Sequence, residues 1–243
     1  MFRAHYFGNT VSRAVVVRIS SARFISIQKI KETLQQFLGT NSKTQIPYSH
    51  VCQVGDPVLR GRAIKVNPEV IKTAEFQKVV KHLTNVMRTY NSFGLSGPQI
   101  GLPWQIFVVE CTENHMKGVE QSVIKAQEIS LVPTTVFINP ELKVVDHTPI
   151  TFYEGCESVR GFTAAVPRAY EVDITALNVT GKQFTWKARG WAARIVQHEY
   201  DHLQGRLYLD KMDLKTFHCA AWYKINKNNG KVHLSYWPSY WKK

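Results

Sequence analysis

Residues 191–203 read Trp191-Ala192-Ala193-Arg194-Ile195-Val196-Gln197-His198-Glu199-Tyr200-Asp201-His202-Leu203. Ala192, Ile195, Val196 and Leu203 recur at helical spacing, and Gly205 lies where a helix C-cap belongs. A helix with one apolar face is therefore expected here. Within it, His198-Glu199-Tyr200-Asp201-His202 has the form HExxH. Residues four apart share a helix face and sit about one turn from each other, so both imidazoles can grip one ion. Glu199 then stands beside that ion, where it can handle the proton of a water. The pattern points to metal-assisted hydrolysis. By itself it names no substrate.

Upstream, Asn67, Pro68 and Glu69 are start signals for a helix, with Val79, Leu83, Val86 and Tyr90 as its buried stripe and Asn91, Ser92 and Gly94 ending it. Residues 104–111 are β-branched and aromatic and read as a buried strand. Residues 112–134 lack periodicity and are expected to form a long loop. Residues 135–138, 142–145 and 170–179 read as further strands, and Gly181-Lys182 as a hairpin turn before 183–187. Strands set between two long helices make the class α+β.

The chain has 243 residues, 44% apolar, which suffices for one sizeable core with tails. Its net charge is +13, and six of the cations, Arg3, Arg13, Arg18, Arg23, Lys29 and Lys31, fall in residues 1–31, which hold no acid. That composition fits a mitochondrial transit peptide; a basic arm that binds RNA or lipid is the other reading. Arg18 interrupts the apolar run 14–17, against a secretory signal, and no stretch approaches the roughly 20 apolar residues of a membrane span. Cys52, Cys111, Cys156 and Cys219 show no CxxC spacing, so free thiols are expected. The expected division is a transit peptide and linker over 1–45, a catalytic domain over 46–212 and a basic aromatic extension over 213–243. The segment 28–38 can form a short amphipathic helix, with Gly39-Thr40-Asn41-Ser42 as linker. The extension mixes Lys with Trp222, Tyr223, Tyr236, Trp237, Tyr240 and Trp241. Packing over the core with Lys on the wet side is expected, with RNA contact as the alternative.

Two His ligands leave room for a third, from Cys, Glu, Asp or His. Cys156 stands out in Tyr153-Glu154-Gly155-Cys156-Glu157-Ser158, where Gly155 allows a close turn before the thiol. A Gly-rich segment, Gly94-Leu95-Ser96-Gly97-Pro98-Gln99-Ile100-Gly101, ends near an amide able to donate to an oxyanion.

With these three motifs in this order, and flanks such as Val166-Pro167-Arg168, the chain resembles the peptide deformylase family from about Val51 to Met212. The form EGCES and the run before His198 resemble its mitochondrial branch. The resemblance implies antiparallel strands packed around a central HExxH helix. It implies Cys156, His198 and His202 as metal ligands, Glu199 as general base and then acid, and Gln99 with the backbone N–H of Glu157 as oxyanion donors. Phe93, Gly94, Tyr153, Glu154 and Gly155 would bind the peptide as an added strand. The implied ion is Fe(II), with Zn(II) or Co(II) as alternatives. The implied substrates are N-formyl-Met nascent chains in the mitochondrial matrix, beside the mitochondrial ribosome. The oligomeric state, a homodimer included, stays open.

Some positions depart from the family. Ser92, Ser96 and Gly97 replace other small residues, Phe93 is bulkier than usual, and Glu157 and Thr163 stand where bacterial members often have Leu and Arg. Trp191 and Arg194 replace aliphatic residues and are expected near the pocket. Asp201 and Arg168 are expected to pair behind the helix. A zinc metallopeptidase and a weakly active, ribosome- or RNA-associated binding protein are the alternative functions.

Overall fold

The computed structural model describes residues 46–238. The expectations for residues 1–45, and for Tyr240 and Trp241, lie outside the described residues. A six-stranded antiparallel sheet forms the frame. β1 (Gly94–Ser96), β2 (Ile106–Cys111), β3 (Val132–Gly155), β4 (Phe162–Leu177) and β5 (Gln183–Arg189) are hydrogen-bonded in that order, and β6 (His218–Cys219) pairs with β4. Two long helices, α1 (Ala74–Thr89) and α4 (Gly190–Leu203), pack on the sheet; α2 (Glu113–Met116), α3 (Gln121–Gln127) and α5 (Trp222–Lys227) are short. Strands and helices in this arrangement are α+β.

β2 explains the architecture. Its Ile106 and Val108 join Phe76, Leu83, Val86 and Met87 of α1 in one cluster. Its Phe107 and Val109 join Trp191, Ala193 and Val196 of α4 in another. A strand covered on both faces is apolar throughout, so 106–109 shows no alternation.

Four sequence expectations change. Asn67 caps only a 3₁₀ turn, Pro68–Val70, by accepting the Glu69 N–H at 3.0 Å. The α-helix begins at Ala74, capped by Thr73, whose Oγ1 accepts the Phe76 N–H at 3.3 Å. The buried stripe follows from that start: Phe76, Val80, Leu83, Val86 and Met87, with Val79 only partly covered. The loop expected over 112–134 contains α2 and α3, which bury no residue and so carry no apolar period to detect. The strands expected at 135–138 and 142–145 belong to one strand, β3. Its register against β4 shifts between Ile138 and Glu141, between Val144 and Asp146, and between Asp146 and Pro149. These irregularities absorb Pro140 and Pro149, which in sequence look like punctuation. Asn139 takes φ 52°, and its amide clasps the Val66 N–H and C=O at 2.7 Å each.

β4 likewise starts at Phe162, well before the expected 170. The long β3–β4 ribbon runs to the Gly155–Thr163 pair and so delivers Cys156 to the end of α4. That end is closed by Gly205, at φ +70°, where an added Cβ would lie 2.6 Å from the Arg60 carbonyl oxygen. Both the backbone conformation and the space require glycine. Gly205→Ala is expected to lower stability by at least about 2 kcal/mol; an unchanged urea midpoint would argue against it.

Candidate active site

Cys156 leaves the ribbon in extended conformation, while His198 and His202 project from α4. Cys156 Sγ lies 3.3 Å from His202 Nε2. One ligand atom from each of the three residues falls within 4.8 Å of the others. Donors around a tetrahedral ion stand about 3.5 Å apart, so the cluster suits one ion with a small contraction. A thiolate and two imidazoles favour a borderline-soft divalent metal.

The electrostatics point the same way. Burial opposes charge on His198, but Cys156 and Glu154 outweigh it and push the imidazole well above its usual range. Positive charge is thus favoured at His198, between the Cys156 sulfur and the Glu154 carboxylate. His202 moves well below its usual value, through burial and then the charge of His198, and so keeps a lone pair free. His198 Nδ1–H donates to Glu154 Oε2 at 3.0 Å, which leaves its Nε2 as the free donor atom.

Glu199 is 3% exposed, and its Oε2 is a buried atom with no hydrogen-bond partner among the described residues. Burial pushes its carboxyl up to about 7. Gly94 lies against it: a Cβ there would come within 2.6 Å of Glu199 Oε1. Gly94→Ala is expected to cut turnover about a hundredfold, the usual cost of displacing a reacting group by about 1 Å, with folding intact. Circular dichroism and kcat on the same preparation check this.

Gln99 is buried, and its amide is held in one orientation. Its Oε1 accepts from Ser96 N–H at 2.9 Å and from Ser96 Oγ at 3.0 Å. The backbone donor fixes which end is oxygen. Nε2 therefore points at the site, 3.6 Å from Cys156 Sγ and 3.2 Å from Ser158 Oγ. Glu157 opens the turn after Cys156, and its carboxylate is held by Arg160 at 2.7 Å. Burial raises its pKa against the pull of Arg160.

Glu154 belongs to the segment expected to flank the peptide, and its side chain turns inward, where buried cations surround it. Arg168 donates from Nε and Nη2 at 3.0 and 2.9 Å, and Arg194 from Nη1 at 2.6 Å. Burial alone would raise the Glu154 carboxyl; His198 and Arg168 outweigh that and hold it well below the usual range. Arg168 Nη1 also bonds Asp201, so the pair expected from sequence is present, and Lys211 Nζ reaches Asp201 Oδ1 at 2.8 Å. Arg194, expected near the pocket, belongs to this network and donates to the Val166 carbonyl at 2.8 Å. Beyond the Arg168–Asp201 pair, sequence reasoning missed the network, although a carboxylate and a second guanidinium in otherwise core-like stretches were a usable signal.

Phe93 accepts the Glu110 N–H on its carbonyl at 2.9 Å. Its ring meets His115 at 4.8 Å and Trp191 at 4.7 Å. The Phe93 and Trp191 rings, with Val109, Val132 and Ile195, line a largely apolar depression. Tyr153 is exposed, its ring edge-on to His218 at 5.6 Å. In the described sheet β1 pairs on one side only, with β2, and residues 149–155 of β3 pair only with β4. Two strand edges thus carry no further strand, although on β1 the Gly94 carbonyl accepts from Ser92 Oγ at 2.8 Å and the Ser96 N–H donates to Gln99.

Residues 48–217 match the family model described as polypeptide deformylase. The chain is 47% identical over 180 residues to the human protein named "Peptide deformylase, mitochondrial", covering 74% of each. It is 41% identical over 181 residues to "Peptide deformylase 1A, chloroplastic" of Solanum lycopersicum, covering 74% of this chain and 65% of that one. The crystal structure of peptide deformylase 1B from Arabidopsis thaliana superposes with a TM-score of 0.57 at 30% identity, over 69% of this chain and 83% of that one. With the family model spanning well over half its length, the chain belongs to the peptide deformylase family, of the mitochondrial type.

Proposed function

We propose that this enzyme removes the formyl group from the initiator Met of newly made mitochondrial polypeptides and releases formate. The observation that carries the reading is the convergence of Cys156, His198 and His202 with Glu199 and the amide of Gln99 in one buried site. The family acts on formylated nascent peptides and depends on a metal.

Cys156, His198 and His202 would hold a divalent ion, Fe(II) by family and Zn(II) or Co(II) as alternatives, which when bound supplies Lewis acidity to water and to the formyl oxygen. Glu199 Oε2 takes the proton of the attacking water and passes it to the leaving amine; its raised carboxyl suits holding that proton briefly. Gln99 Nε2 and the backbone N–H of Glu157 donate to the developing oxyanion. Glu154 holds the His198 tautomer.

The peptide lies as an added strand between β1, with Phe93-Gly94, and the end of β3, with Tyr153-Glu154-Gly155. The two open edges support this placement; Glu154 contributes its backbone, since its carboxylate is engaged elsewhere. The Met side chain enters the depression beside Phe93 and Trp191. α4 is the element around which the antiparallel strands pack.

The test is formate release from formyl-Met peptide by protein loaded with Fe(II), Co(II) or Zn(II). A metallopeptidase would instead cleave an unformylated peptide, and a binding protein would do neither.

The proposed division is a transit peptide and linker over 1–45, the catalytic domain over 46–212 and the extension over 213–243, with the matrix, beside the mitochondrial ribosome, as the place of action. The names of the human and tomato relatives support organelle targeting. No helix among the described residues is long and apolar enough to cross a membrane. Removing residues 1–31 from a tagged chain should abolish mitochondrial import; continued import would refute the targeting role.

A further inference from the structure

The family match ends at residue 217, yet the chain beyond it returns to the active-site loop. Leu234 lies over Gly161: a Cβ at that glycine would come within 3.1 Å of Leu234 Cδ2. The Tyr90 hydroxyl donates to the Tyr236 carbonyl at 2.9 Å, and Trp237 meets the Tyr90 ring edge-on at 6.1 Å. Tyr90 is buried, and its hydroxyl also accepts the Val51 N–H at 3.2 Å.

Tyr90 connects this segment to the site. The Arg160 guanidinium lies over its ring, 5.6 Å from the centroid. Arg160 in turn holds the Glu157 carboxylate at 2.7 Å. Gln53 spans the same turn, donating to the Glu157 carbonyl at 2.8 Å and accepting the Arg160 N–H at 3.4 Å. The loop 156–161 is therefore pinned at Gly161 directly and at Glu157 through Arg160 and Tyr90. This loop carries Cys156, the Glu157 N–H and Ser158, which receives Gln99.

We infer that residues 234–237 form a strap that positions the loop 156–161 for catalysis, with Tyr90 and Trp237 as positioning residues. The inference rests on the deformylase reading of the site. Leu234, Tyr236 and Trp237 are each about half exposed, so the strap adds little to overall stability. A donor displaced by about 1 Å, in contrast, costs up to about a hundredfold in rate. The strap thus acts on turnover rather than on folding, and its effect falls on kcat because the open edges that would receive the peptide lie on β1 and β3.

The test compares the metal-loaded full chain with a chain shortened after His233, with Trp237→Ala and with Trp237→Phe. The readouts are kcat and KM for formyl-Met peptide, and hydrogen–deuterium exchange of residues 156–161. Trp237→Ala should lower kcat about tenfold with KM unchanged, and the shortened chain at least as much. Exchange should quicken at 156–161 and not in α1 or β2, and Trp237→Phe should restore both readouts. Unchanged kcat in both the shortened chain and Trp237→Ala would overturn the inference, as would faster exchange spread evenly over the domain. If the full chain itself releases no formate, the deformylase reading fails, and unchanged exchange at 156–161 would then overturn the strap as well.

Discussion

Glu199→Gln is expected to lower kcat on formyl-Met peptide about a thousandfold, within the range that a positioned general acid–base supplies, while KM, metal content and the melting temperature stay close to those of the parent. The side chain is almost wholly buried, and its Oε2 has no partner among the described residues. That atom is free for the reaction. Oε1 is packed against the glycine at position 94, so the carboxylate has no room to move towards β1. Gln has the same shape and fills the same space but can neither take nor return the proton. Burial keeps bulk water from substituting as the base. Steady-state kinetics and metal analysis of the same sample decide the matter. Loss of activity together with loss of metal would move Glu199 from proton transfer to site assembly, and a kcat near the parent value would sink the assignment.

Glu154→Gln is expected to remove about 3–5 kcal/mol of stability, because Arg168 and Arg194 would keep buried charges without their shared carboxylate. Asp201 and the Val166 carbonyl retain part of the satisfaction, which places the effect at the lower end of that range. The same change replaces the charged acceptor of His198 Nδ1–H with a neutral amide that has a single acceptor oxygen to share among His198, Arg168 and Arg194. Loss of such a partner typically weakens metal binding about 10- to 100-fold. Urea unfolding of the metal-free protein reads the first effect, and competition with a chelator reads the second. Adding Arg194→Leu to Glu154→Gln should recover part of the stability, since one unpaired buried cation is gone, but none of the metal affinity. Full stability in the single variant would show that the network contributes nothing net to the fold.

The two experiments separate the layers of the site. Glu199 touches the reaction, and its loss is a rate effect. Glu154 touches a ligand, and its loss is felt in folding and in metal retention. Gln99, in the turn 97–100, and Glu157, in the loop 156–161, sit between: residues 52–54 bond both segments, and the strap reaches the second.

Much of this arrangement is legible in the amino-acid sequence because it is local. The two imidazoles share a face because any helix puts positions i and i+4 together, so no tertiary contact is needed to pair His198 with His202. Residues 106–109 read as a doubly covered strand because burial on both faces removes alternation. The Gly-rich segment, EGCES and HExxH together identify the family, since their order and residue types are set by the chemistry they share. The helix start was misplaced because Asn67-Pro68-Glu69 caps a 3₁₀ turn as well as it would cap an α-helix. β3 was divided because bulges at Pro140 and Pro149 leave the same trace in sequence as turns.

Only the tertiary structure decides which distant residues meet. Cys156 reaches His202 because the β3–β4 ribbon, with its shifted register, ends at α4. Glu154 meets Arg168 and Arg194 across 14 and 40 residues of chain, pairings that no period encodes. Gly94 is required by Glu199, 105 residues later, and Tyr90 holds Tyr236 across 146. Periodicity and capping are properties of neighbours along the chain and can be read from it directly. Contacts between segments depend on strand register, burial and shape summed over the whole domain, and these exist only once the chain has folded.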